Sequence, residues 1–129
     1  MSRIVQPVIL ANFRKRTKPK REPRRLVDEK HLAFVRSLPC LAEGLACNQG
    51  IVAHHLLSIP NNSRGGALKA DDSWVLPLCH RHHARLHETG ERKFLDWHGI
   101  AYPPALAALL FVLSGNETAC LRVIEEMKS

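Results

Sequence analysis

Leu78-Cys79-His80-Arg81-His82-His83-Ala84-Arg85-Leu86-His87 is the most informative stretch of the chain. Five of these ten residues are Cys or His, and half of the protein's eight histidines lie here. Imidazole and thiolate are the preferred ligands of zinc and related divalent metals. No Gly or Pro follows Pro77 within the stretch, so a helix is expected from about Cys79. Side chains advance by about 100° per residue on a helix. With Cys79 at zero, His82 falls near about −60°, His83 near about +40° and His87 near about +80°. The helix can therefore serve two sites. Cys79 and His82 lean one way, and the i,i+4 pair His83 and His87 leans the other. His80, at about +100°, competes with the second pair.

Upstream, Cys40-Leu41-Ala42-Glu43-Gly44-Leu45-Ala46-Cys47 puts two cysteines around a Gly-containing loop. Such a loop can form half of a zinc site, a knuckle, although the spacing here is wider than usual. With Cys79 and His82 it completes a Cys3His tetrahedron, so a structural zinc is expected on Cys40, Cys47, Cys79 and His82. Ile51-Val52-Ala53-His54-His55-Leu56-Leu57 reads as a strand, on which His54 and His55 point to opposite sides. The loop 58–72, with Arg64 and Lys69, leads to a second strand, Ser73-Trp74-Val75-Leu76-Pro77.

Length and charge set the frame. A chain of 129 residues suggests one domain with a modest core that a metal would staple. No apolar run is long enough to span a membrane, and Arg14 closes the N-terminal apolar segment too early for a signal peptide. A cytoplasmic protein with reduced cysteines is the expectation. Residues 1–26 carry nine basic and one acidic side chain, net +8, whereas residues 27–129 carry ten and eleven, net −1. The division is thus a basic arm, 1–26, and a folded part, 27–129. Residues 4–11 are readable as a short edge strand limited by Pro7. Arg14, Lys15, Arg16, Lys18, Lys20, Arg21, Arg24 and Arg25 form a segment expected to be disordered when free and to contact nucleic-acid phosphates.

Asp28 is a candidate N-cap for a helix to about Ser37, with Leu32, Phe34 and Val35 facing inward and Pro39 stopping it. His31 stands alone and reads as a surface or capping histidine. Beyond the histidine helix, Phe94, Leu95 and Trp97 are expected to pack on the core, with His98 capping their helix. A helix over Ala105 to Leu113 and a last one over Glu117 to Lys128 follow, the latter with Leu121, Ile124 and Met127 at core spacing and Cys120 as a small buried residue.

Taken together, His54-His55, a loop, and Val75-Leu76-Pro77-Leu78-Cys79-x-x-His82-His83-x-x-x-His87 resemble an HNH endonuclease, the ββα-metal fold. With His31 to Cys40 and Gly90-Glu91-x-x-Phe94 the chain is closer still to phage-type HNH proteins around the recombination-enhancement (Ref) nuclease family. The resemblance covers roughly residues 28–100. It implies an α+β, mostly helical fold: a small ββα-metal core with a zinc knuckle and flanking helices. It also implies metal-dependent hydrolysis of DNA phosphodiesters, in phage recombination or DNA processing. His54, His83 and His87 match ligands of a catalytic Mg²⁺, Mn²⁺ or Zn²⁺ ion, His87 alternatively touching phosphate. His55 matches the general base, a role that imidazole fills near neutral pH. DNA and a recombination protein filament are the implied partners, with no membrane and no stated oligomeric state. The asparagine of the HNH pattern would fall near Trp74, which cannot replace it; Asp71, Asp72 and Ser73 are the candidates to orient the base. His82 replaces a cysteine of the usual zinc pattern, which leaves His82 against His83 as zinc ligand open, although helix phase favours His82. The alternative is a zinc-stabilised nucleic-acid-binding module without catalysis. Four ligands satisfy a structural site, and His54, His55, His83 and His87 are surplus to it.

Overall fold

The computed structural model describes residues 26–44, 47, 50–59 and 71–128. The candidate strand 4–11, the basic residues Arg14 to Arg25, and Arg64 and Lys69 lie outside the described residues. The described chain is a small mixed α+β fold: five helices and one two-stranded sheet. None of these helices is long and apolar enough to cross a membrane.

Helix α1, Glu29–Arg36, starts where Asp28 accepts the His31 backbone N–H at 3.0 Å. Glu29 at its start and Arg36 at its end suit the helix dipole and pair at 2.9 Å. Val35 is buried, but Leu32 and Phe34 are only half-buried. The expectation of a surface or capping role for the His31 ring is corrected here. The ring is 1% exposed, its Nδ1 is 2.8 Å from Ser114 Oγ, and it stands edge-on to Phe111. Helix amphipathicity explains this, since His31 and Val35 are four residues apart and share the inward face.

Strand β1, Ile51–His55, pairs antiparallel with β2, Val75–Cys79, with Ile51 opposite Cys79 and His55 opposite Val75. The second strand thus begins two residues later than its sequence suggested, and Ser73 and Trp74 belong to the preceding turn. Pro77 is tolerated inside it because a strand with a single neighbour leaves one edge unpaired. The Pro77 carbonyl accepts the Leu41 N–H at 3.0 Å, which ties the cysteine loop to the sheet. All five residues of β2 are buried.

Cys79 ends β2 and caps helix α2, His80–Thr89, its Sγ accepting the His82 N–H at 3.4 Å. Gly90, at φ 106°, supplies a backbone conformation that other residues avoid and turns the chain directly into α3, Glu91–Trp97. Phe94 and Leu95 face inward, but Trp97 is 84% exposed, contrary to the expectation that it packs on the core. Seven residues make two turns, and Glu91, Phe94 and Leu95 already fill the inward face. Helix α4, Pro103–Val112, begins with its two prolines and buries Leu106, Ala107 and Leu110. Helix α5, Glu117–Met127, is capped by Asn116 and buries Cys120 and Ile124. Ile124 and Cys120 are buried and Met127 packs against the core, as expected, but Leu121 is 38% exposed and does not belong to the core stripe.

Leu86 is fully buried on the inward face of α2, between the two histidine faces. Leu86→Ala is expected to lower unfolding stability by about 2–5 kcal/mol, the usual cost of such a truncation. Chemical denaturation measures it.

Candidate metal centres

Three elements bring the first group together: the loop carrying Cys40 and Cys47, the end of β2 and the first turn of α2. The Nδ1 of His82 is 3.6 Å from Cys40 Sγ, 3.4 Å from Cys47 Sγ and 3.2 Å from Cys79 Sγ. All four ligand atoms lie within 4.8 Å of one another. A tetrahedral zinc, with bonds of about 2.3 Å to sulfur and about 2.05 Å to nitrogen, needs S···N edges of about 3.6 Å. The four side chains fit, and could hold a metal such as zinc. The split anticipated from helix phase is the one seen, with His82 on this side. Burial pushes the Cys40 thiol up to about 12. A coordinating ion removes that proton outright, so metal binding at Cys40 is coupled to proton release. Phe94 and His98 lie against the His82 ring, at centroid distances of 6.1 and 5.6 Å, and fix its plane.

The second group combines His54 of β1 with His83 and His87 of α2. Their rings meet edge to face, His54 lying 5.1 Å from His83 and 5.6 Å from His87. His83 Nε2 and His87 Nε2 are 3.2 Å apart, close to the edge of about 3.3 Å that two nitrogens span on a tetrahedral ion. Burial, and then the neighbouring histidines, push His83 down to about 4. It is therefore a neutral lone-pair donor at neutral pH. His80 is outside this group: it is exposed, and its ring covers Gly50, where a Cβ would approach the ring to 2.8 Å. The competition expected from His80 is thus absent from this set.

One residue at this site has a role that the sequence alone does not disclose. Glu91 is 8% exposed and accepts from three donors. His54 Nε2 lies 2.8 Å from its Oε2, the Leu57 N–H 2.8 Å from the same oxygen, and the Ser58 N–H 3.1 Å from Oε1. Burial raises its pKa, but these hydrogen bonds outweigh burial and hold it below the usual carboxylate range. With Nε2 engaged by Glu91, Nδ1 is the His54 nitrogen left for a metal. The available signal was an acid opening a helix that follows the histidine helix without a loop.

His55 points to the other side of β1, as strand alternation requires. Its Nε2 is 2.8 Å from Oδ1 of Asp72, a buried carboxylate whose Oδ2 also accepts the Asp28 N–H at 2.8 Å. Of Asp71, Asp72 and Ser73, it is Asp72 that holds His55. Asp71 instead accepts the Leu26 N–H at 2.8 Å. Trp74 is half-buried against the core.

Comparison with known proteins places these residues in a family. A family model described as "Protein of unknown function (DUF968)" matches residues 9–109, and the chain belongs to that family. "Uncharacterized protein YdfU" of Escherichia coli (strain K12) is 40% identical over 81 residues, 63% of this chain. The match spans only 21% of that longer protein. No solved structure matches the chain.

Cys79 is both a member of the sulfur-rich group and the cap of α2. Cys79→Ala is expected to abolish stoichiometric binding of a tightly held metal. It should also lower Tm by roughly 10 °C, as a loss of about 3 kcal/mol does in a domain of this size. Elemental analysis and calorimetry of the purified variant test both. His83→Ala is expected to keep the tightly held metal.

Proposed function

We propose that this DUF968 family member is a metal-dependent endonuclease of the HNH, ββα-metal type, hydrolysing DNA phosphodiester bonds. The observation that carries the reading is the pair of separate ligand groups on opposite flanks of α2, the second joined by a histidine doublet whose members have different carboxylate partners. A structural site alone needs one group of four.

In this reading Cys40, Cys47, Cys79 and His82 hold a structural zinc, which suits a sulfur-rich tetrahedral set. His54, His83 and His87 hold the second ion, leaving coordination open to substrate. Three imidazoles favour a borderline ion such as zinc over magnesium. When bound, that ion supplies charge stabilisation for the phosphate and the leaving oxygen. The chain's own residues supply the rest. Asp72 fixes His55 through Nε2, so the Nδ1 lone pair is the base that takes a proton from the attacking water. Asp72 also stabilises the imidazolium that results. Glu91 orients His54 in the same manner and adds negative charge next to the metal ligands. The net +8 of residues 1–26 supports contact with the DNA backbone. A recombination protein filament as a partner is carried by the family resemblance alone.

The test compares three variants on single- and double-stranded DNA with Mg²⁺, Mn²⁺ or Zn²⁺ added. His55→Ala is expected to lower turnover by roughly 10²–10⁴-fold, the usual effect of losing a general base, with metal binding intact. His54→Ala and His83→Ala are expected to weaken the exchangeable metal and to be partly rescued by excess metal, which His55→Ala is not. Cleavage that none of the three changes would remove the enzymatic reading and leave a zinc-stabilised nucleic-acid-binding module.

A further inference from the structure

Trp97 is the most exposed large apolar side chain described, at 84%. An isolated apolar residue on a surface is ordinary. This one borders a hollow of about 450 Å³ between α2 and α3, floored by Phe94 and His98 and rimmed by Arg81, Arg85 and Lys93. Among the described residues, no carboxylate lines the hollow. Glu88 approaches Arg85 only to 4.0 Å, and both side chains are more than half exposed, so that pair leaves the charge available. Lys93 and Trp97 are four residues apart on α3 and share one face.

We propose that this hollow binds an unpaired nucleotide of single-stranded DNA, its base stacked on Trp97 and its flanking phosphates on Arg85 and Lys93. The chemistry matches a single strand better than a duplex. An exposed indole offers a flat face to a base, and only an unpaired, unstacked base has a free face to give. The volume suits one nucleotide-sized group. The cationic rim matches the phosphates on either side of it.

The hollow is separate from the histidine trio. On the helical wheel Arg81 and Arg85 lie about 120–160° from His83 and His87, so the hollow and the trio flank α2 on opposite sides, roughly 10 Å apart. The exposed face between them carries His80, Ala84 and Arg81. A strand held by Trp97 would cross this face toward His83. The proposal rests on the nuclease reading for the identity of the polymer, and places a single-stranded segment beside the cleavage site.

Fluorescence anisotropy of the full, metal-loaded chain tests it, with no Mg²⁺ or Mn²⁺ added. The probes are a labelled oligothymidine of about 15 nucleotides, within the span of a small binding module, and oligouridine and duplex DNA of equal length. Trp97→Ala is expected to weaken oligothymidine binding by roughly 5–100-fold, the effect of losing one stacked base. Trp97→Phe should recover most of that loss, and duplex binding should change less than about twofold, because a paired base does not use the indole. Arg85→Glu, a surface change, should weaken oligothymidine binding and flatten its salt dependence. Unchanged oligothymidine binding by Trp97→Ala, or equal losses on single strand and duplex, would overturn the proposal. If Trp97→Ala fails to fold, unchanged binding by Arg85→Glu overturns it instead. Tighter binding of oligouridine by the unaltered protein would overturn the assignment to DNA. The two readings separate cleanly. Trp97-dependent binding without cleavage would retain the hollow and remove the enzyme, whereas normal cleavage with Trp97-independent binding would do the reverse.

Discussion

A 100° step between neighbouring residues on one helix organises this protein. His82 and His83 are adjacent in sequence, yet the step sends the first into a buried sulfur-rich cluster and the second onto the flank facing β1. Leu86 occupies the wedge between them and holds α2 against the core. The phase of the helix is fixed at its start, where Cys79 is at once the last residue of β2, the cap of α2 and a member of the first cluster. A slip of one residue there would move every histidine of the helix off its site. The antiparallel register, with Ile51 opposite Cys79, sets His54 at the height of the second cluster.

Two buried carboxylates give the histidine doublet its asymmetry. His54 and His55 are chemically identical neighbours on a strand, and alternation alone separates their directions. Glu91 engages His54 and Asp72 engages His55, each through Nε2 at 2.8 Å. Burying an unpaired carboxylate is expensive, and each acid is compensated by backbone N–H groups as well as by imidazole. This compensation also anchors distant segments. Asp72 joins the turn before β2 to the start of α1, and Glu91 joins α3 to the end of β1. The same groups that would tune the chemistry therefore hold the fold together.

Much of this was legible in the sequence because it depended on local periodicity. The density of Cys and His marks the helix, and the 3.6-residue repeat alone separates Cys79 and His82 from His83 and His87. Loop and turn chemistry was less legible. Three residues, Asp71, Asp72 and Ser73, were equivalent candidates, and only the turn geometry brings Asp72 under His55. Glu91 stands in the motif Gly90-Glu91-x-x-Phe94 with no role legible from sequence, because its partners are 33 to 37 residues away. His31 and Trp97 were misread for one reason. Residue type favours a polar His outside and an apolar Trp inside, but helix phase decided both in the opposite sense. Position on the helix outweighed side-chain polarity because Ser114 met the His31 nitrogen, while Phe94 and Leu95 had already filled the space available to Trp97.

The central claim is that one helix serves two ions. Crystals grown with zinc and then soaked in manganese, with anomalous maps recorded at both absorption edges, test it most directly. The account predicts two peaks: a zinc signal among Cys40, Cys47, Cys79 and His82 that survives the soak, and a second, exchangeable one at His54, His83 and His87. A single peak, or a retained zinc on the histidine trio with an empty cysteine cluster, would contradict it.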